Sequence, residues 1–395
     1  MATPNHPVND AIRLTDGNFY GNDPHENLRW MRENAPVYWD AAGQAWGITL
    51  HEDVTALSKD SATWRNSGGI RPDAPQMAYM IDMDDPEHKK RRSLVSKGFT
   101  PRRVMEREPR VRVVSAELLR RGREKGSFDF VKDVAAWLPL VMIGDMLGVL
   151  PEDYERLLEW SEAMVLGTGA TTMEAMVAAG TAFEEYVTYQ RRVLEDRRAN
   201  PRDDLVSILV HAEIDGERLT DDELLMETLL ILIGGDETTR HVLSGGMYQL
   251  LRHPDQMRAL REDPSRMATT IEECLRWVSP IQNMARTAAR DVELRGQKIA
   301  AGEKLLLLYP SANRDTAVFA DPFRFDSMRS PNDHIAFGIG AHFCLGSNLA
   351  RLELRTMFEE VLKIVPDLRL ASDAPPPLRA SNFISGIESL PVEVG

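Results

Sequence analysis

Phe337-Gly338-Ile339-Gly340-Ala341-His342-Phe343-Cys344-Leu345-Gly346 gathers three glycines around one cysteine. Glycine at that density suits a tight loop whose backbone amides can approach a ligand with no side chain between. Directly afterwards, Leu345 to Val361 carries Leu349, Leu352, Leu354, Met357 and Val361 at helical spacing. Cys344 therefore sits at a helix N-terminus, where the macrodipole and unpaired amides favour a thiolate and lower its pKa. The ordinary alternative for a lone thiol is a small buried hydrophobe. Zinc would need further Cys or His at ligand spacing, and only His342 is near. A cysteine protease would need a partnered His that nothing in the sequence specifies. One thiolate on a porphyrin iron needs no second protein ligand.

Upstream, Asp221 to Leu251 is the longest helical pattern, and its middle reads Leu229-Leu230-Ile231-Leu232-Ile233-Gly234-Gly235-Asp236-Glu237-Thr238-Thr239-Arg240. Two adjacent glycines inside a helix cost about 1 kcal/mol each relative to alanine. Close helix packing could offset that. Two acids and two threonines on a buried face, however, need polar partners or a chemical task. A threonine hydroxyl can also bond back to the preceding turn and leave room for a small ligand.

Further helical patterns cover Asp153–Leu166, Thr181–Arg198, Pro254–Arg261 and Arg266–Val278. Strand patterns are few: Val37–Trp39, Ala45–Thr49, Ala285–Leu294 and Lys304–Leu308. The sequence predicts a mainly α protein with small β-sheets. No linker, repeat or low-complexity tract divides it, so residues 1–395 read as a single domain. Between Ser58 and Asp82, and between Leu166 and Met173, Gly, Pro and Met accumulate. Long irregular connections of this kind are often functional, and both are assigned to substrate entry.

A formal net charge of −14 argues against general nucleic-acid binding. Two cysteines, Cys274 and Cys344, exclude a disulfide framework and make the reduced cytoplasm the expected compartment. Met1 to Asp16 lacks the basic start and apolar run of a signal peptide. The longest apolar runs, such as Leu229–Ile233, fall far short of the roughly 20 residues of a membrane span.

The cysteine loop resembles the haem-binding signature of the cytochromes P450, Phe-x-x-Gly-x-x-x-Cys-x-Gly, at every fixed position. The Gly234–Thr239 stretch is similar to that family's oxygen-binding motif. The resemblance spans about Asp16 to Leu390. It implies a single triangular helical domain holding haem b, with Cys344 as the iron ligand and Phe337, Gly338 and Gly346 shaping its loop. It also implies Gly234 and Gly235 beside the oxygen pocket, a Thr238 hydroxyl that hydrogen-bonds dioxygen and water, and a Glu237 that relays protons. Propionate partners would be His88 and Arg92, one turn apart, with Arg286, His334 and His342. Glu273, Arg276 and Arg329 match the family's structural Glu-x-x-Arg set. Cys274 lacks any such context and is read as structural.

Lys89 to Arg112 holds ten Lys or Arg against two Glu. A solvated helix face is the ordinary reading of such a run. A P450 without its own nucleotide fingerprint needs an electron donor, so the resemblance implies an acidic iron-sulfur ferredoxin and its flavin-dependent ferredoxin reductase, steered by this patch. Asp16–Tyr20, Gly68–Asp73, Met80–Pro86 and Asp215–His241 look like the bacterial steroid side-chain monooxygenases acting on cholesterol and cholest-4-en-3-one. The expected substrate is bulky and apolar. Its pocket would be lined by Met77, Met80, Met164, Met173, Ile231, Ile281, Met284 and Phe383. Hydroxylation of a macrolide, terpenoid, cyclic peptide or fatty acid is the alternative, and ligand binding without oxygen insertion would leave Glu237 and Thr238 without a task.

Overall fold

The computed structural model describes residues 5–167, 172–213 and 216–395. Part of the connection between Leu166 and Met173, and Asp215 of the Asp215–His241 stretch, lie outside them. Helices dominate, and one of 32 residues, Asp221–Arg252, runs through the molecule. Thr220 and Glu223 close a capping box at its start, where three acids also face the dipole. This long helix packs against the helices Trp137–Leu147, Met267–Val278 and Ser347–Ile364. Around these four lies the largest core cluster.

Five short strands form the main sheet in the order Val37–Asp40, Ala45–Ile48, Lys304–Leu307, Met284–Ala288, Trp64–Arg65. All pairs are antiparallel except Ala45–Ile48 with Lys304–Leu307. Strands 127–129, 391–394 and 368–370 make a second sheet, and 292–294 with 297–299 a hairpin.

Three predicted elements need correction. The helix expected from Thr181 begins at Met173, capped by Thr172, because its first turns are exposed and show no apolar stripe. The single strand over Ala285–Leu294 is two, broken where the Ala289 N–H leaves the ladder for the Thr63 carbonyl at 2.8 Å. The helix after the cysteine starts at Ser347, with Gly346 as its N-cap. No helix among the described residues is long and apolar enough to cross a membrane.

Candidate active site

Three backbone bonds shape the cysteine loop. The Gly338 N–H donates to the Ile335 carbonyl at 2.9 Å, the Phe343 N–H to Gly340 at 3.1 Å, and the Cys344 N–H to Phe337 at 2.9 Å. Gly338 (φ 66°) and Gly340 (φ 83°) lie in the left-handed region that favours glycine. A Cβ on Gly340 would also meet the Ser58 carbonyl oxygen at 2.5 Å. Burial pushes the Cys344 thiol up, against the amides of Gly346 and Ser347 and the charges of Arg92 and Arg351. The N-terminal amides predicted to lower this pKa are in place, but desolvation outweighs them. Cys274, by contrast, is fully buried against Gly246 with its thiol pushed far up, an inert packing residue.

On the long helix the two glycines do different work. A Cβ on Gly235 would strike Ile143 at 2.5 Å, so this glycine permits close packing. A Cβ on Gly234 would meet no heavy atom within 4 Å, and the same holds for Gly346 in the cysteine loop. The Thr238 hydroxyl donates to the Gly234 carbonyl at 2.8 Å, with the helix unbroken.

Glu237 is fully buried and held by cations. Arg379 donates to its Oε2, Arg240 to its Oε1 at 3.3 Å, and His241 Nε2 lies 3.6 Å away. Each arginine continues to a half-exposed acid, Arg240 to Glu162 at 2.9 Å and Arg379 to Glu388. Arg240, His241 and Arg379 went unread in the sequence, and Arg379, more than a hundred positions downstream, left no local signal. Asp236 beside it is also buried. Desolvation and then the Glu237 charge push its pKa well above the usual range, against the Ser161 hydroxyl that donates at 2.9 Å.

Near the cysteine loop, His88 and His342 stack with ring centroids 3.8 Å apart. Arg92, one turn on, donates to the Phe343 carbonyl. Burial, then the charges of His88, Arg286 and Arg92, push His342 down to about 2. Arg286 is buried, bonds the Ala285 carbonyl, and has no carboxylate partner among the described residues. His88 Nε2 is buried with no hydrogen-bond partner among the described residues. His88 Nδ1 meets the Asp85 carboxylate at 3.2 Å, but buried Arg286 and the half-buried Arg92 beside it have no carboxylate partner among the described residues, an arrangement that is costly unless an anionic group joins them. Haem propionates supply that charge, while the open space at Gly234 and Gly346 leaves room for a flat ring. The residues present therefore fit haem.

His334 stands apart. Its Nε2 meets Glu272 at 2.9 Å and its Nδ1 accepts from the Ala336 N–H at 3.3 Å, so both ring nitrogens are committed to protein. This corrects its assignment as a propionate contact. Glu273 lies in a second buried cluster: Arg276 grips it through two 2.7 Å bonds, and Arg329 and the Asp326 N–H add bonds at 3.1 and 2.9 Å. Arg276 also donates to the carbonyls of Asn313 and Pro322, tying three segments together.

Of the residues predicted to line the pocket, Met80, Met164 and Ile231 are buried in the main core, and Ile281 and Met284 flank the main sheet. Phe383 lies under the Arg71 guanidinium, 4.7 Å from its ring centre. Met77 is half-buried, with its N–H held by Asp82. Met173 is 74% exposed on the first turn of its helix and is withdrawn as a pocket residue.

Most of the basic run is internally neutralised. Lys90 pairs with Glu217, Arg91 with Glu223 and Glu227, Arg103 with Asp203, Arg110 with Asp145, and Arg112 with Glu108, Glu359 and Glu360. Lys89 and Lys97 are exposed and form no ion pair among the described residues.

A cysteine in a glycine-shaped loop before a helix, with a second, long helix carrying open space at Gly234, a threonine hydroxyl and a buried acid, supplies the parts of a haem-thiolate oxygenase. The cytochrome P450 family model matches residues 160–364, and this chain belongs to that family and is a P450 monooxygenase with haem b as its cofactor. It is similar to a steroid C26-monooxygenase of Mycolicibacterium smegmatis, 50% identical over 96% of this chain and 95% of the relative. A methyl-branched lipid omega-hydroxylase of Mycobacterium tuberculosis is 39% identical, over 92% and 89%. Among solved structures, a Bacillus megaterium P450 in complex with testosterone superposes with a TM-score of 0.86 at 32% identity, covering 94% of this chain and 99% of that one.

Proposed function

We propose that this P450 hydroxylates the side chain of a steroid, at or near its terminal methyl. The identity of 50% across almost the whole chain to a steroid C26-monooxygenase carries this reading. The branched-lipid hydroxylase relative favours a second one, a methyl-branched acyl chain, in which the reacting group is again a terminal methyl on a branched alkyl tail.

In this reading Cys344 ligates the iron, and His88, Arg92, Arg286 and His342 hold the propionates. The haem, when bound, supplies the iron on which dioxygen is activated. Thr238 can turn its hydroxyl from the Gly234 carbonyl to a water in the gap, and Glu237 passes protons inward at its carboxylate. Arg240 and Arg379 keep that carboxylate oriented and link it to Glu162 and Glu388 at the surface. Met77, Met80, Met164, Ile231, Ile281, Met284 and Phe383 supply the apolar wall. Electrons come from an iron-sulfur ferredoxin and its flavin reductase, docking at Lys89 and Lys97 in the cytoplasm, the compartment that suits a chain whose two cysteines form no disulfide.

Titrating haem-loaded protein with cholest-4-en-3-one and with a methyl-branched fatty acid, following the Soret band, tests the reading. A spin-state shift and terminal hydroxylation with the steroid support it. A response to the branched acid alone moves the assignment to the second substrate class.

A further inference from the structure

The segment from Asn66 to Asp84 is irregular yet held at many points. Asp84 accepts the Asn66 N–H at 2.7 Å, and Asp82 accepts those of Ile70 and Met77 at 3.0 and 2.7 Å. Asn66 Nδ2 donates across to the Ile81 carbonyl at 2.8 Å. The segment is thus closed on itself by carboxylates that grip main-chain amides. Among the described residues one hydrogen bond joins it to the long helix: the Met80 N–H donates to Glu227 Oε1 at 2.8 Å.

Glu227 is fully buried on that helix, and its Oε2 has no hydrogen-bond partner among the described residues. Arg91 reaches it at 3.4 Å, donates to Glu223 as well, and bonds the Ala78 carbonyl at 3.2 Å, bracing the same turn from the other side. Glu227, Ile231, Gly234 and Thr238 recur at intervals of four, three and four, so they share one helix face. Met80 is therefore pinned about 10 Å along the axis from Gly234, at one end of the face that overlooks the gap.

We propose that Glu227 is a positioning residue for the substrate, fixing Met80 and the 66–84 segment against the long helix and so setting how far a bulky apolar guest extends along it. This rests on the reading of the gap as a pocket for such a guest. Glu227 touches no reacting atom; it acts through the turn that it holds. Burial pushes its pKa up to about 7, against Arg91 and the Met80 N–H and with Glu223 adding to the rise. Tyr79 in the turn is the further titratable group near it, its hydroxyl pushed up by burial, Asp82 and Arg71 opposing each other, and Glu227. Ionised Glu227 is the stronger acceptor and the form that pairs with Arg91, so the turn loosens as pH falls through about 7.

The test uses haem-loaded wild type, E227Q and E227A, each first checked for an intact thiolate spectrum with carbon monoxide. Hydrogen–deuterium exchange over residues 77–82 is corrected for intrinsic pH dependence. Binding of imidazole is compared with that of a bulky azole, each counted as its neutral free base, and with cholest-4-en-3-one, between pH 6 and 8.5. Wild type should bind the bulky azole about fivefold more tightly at pH 8.5 than at pH 6, the difference between a charge-assisted and a neutral hydrogen bond. E227Q should flatten that profile, E227A should also lose protection at Met80, and imidazole should bind all three alike. Unchanged exchange in E227A, an unchanged pH profile in E227Q, or imidazole moving in step with the bulky azole overturns the proposal. Absence of a steroid response in wild type removes the steroid reading alone, since the azole comparison still decides the role of Glu227.

Discussion

Arg379 and Glu237, 142 residues apart in sequence, meet as a buried ion pair beneath the turn that carries Thr238. The acid proposed to deliver protons is thus neutralised by an irregular C-terminal segment as well as by Arg240 of its own helix. Removing Arg379 leaves a buried carboxylate with less compensation, and breaking such a pair typically costs about 3 kcal/mol or more. R379M should lower the thermal midpoint of the haem-loaded protein and R379K should recover much of it. Equal midpoints for wild type and R379M would show that Arg240 suffices.

Thr238 offers a hydroxyl but carries little structural load, since its partner is a carbonyl already inside a continuous helix. T238A should fold and bind haem normally while electrons are diverted to peroxide. The ratio of product formed to electrons consumed should fall about tenfold or more, within the range of general acid catalysis. Measuring peroxide and product in the same reaction decides it.

Arg286 is buried without a carboxylate partner among the described residues, a position that an anionic group makes comfortable. R286L should therefore leave the haem-free protein as stable as wild type or more so, and yet weaken haem retention. The Soret-to-protein absorbance ratio after gel filtration reads the second effect, and thermal unfolding of haem-free protein reads the first.

Glu272 provides a pH prediction. Burial raises its pKa, but hydrogen bonds from Arg351 and His334 outweigh this and hold it down at about 2. A carboxyl depressed in the folded state stabilises at pH above its unfolded value, about 4.5, and loses that contribution as pH falls towards 2. E272Q should remove this component, so that the acid side of the stability profile becomes shallower between about pH 4.5 and 2. Urea midpoints taken across that window for both proteins test the sign.

Legibility in the sequence followed physical locality. Cys344 and its glycines, and the Gly234–Thr239 run, sit in elements whose periodicity and punctuation are contained in a few turns. Their fold and reaction class could be read. The helix Trp137–Leu147 could not, because it is buried on nearly every side and so has no polar face to give a helical rhythm. Arg379 was invisible for a different reason: its role exists only once two distant segments touch. His334 misled because a histidine near the loop looks the same in sequence whether it faces a cofactor or a glutamate. The acids that pair with much of the basic run were equally illegible, since charge counted along a chain does not reveal what folds back upon it.

Asp82, Asp84 and Glu227 grip the loop by its amides, which every residue but proline possesses. Side chains there can be exchanged without letting go of the loop's course. Such an arrangement separates what the loop is from where it runs: a substitution at half-buried Met77 or exposed Ala78 leaves the amide bonds beneath it in place.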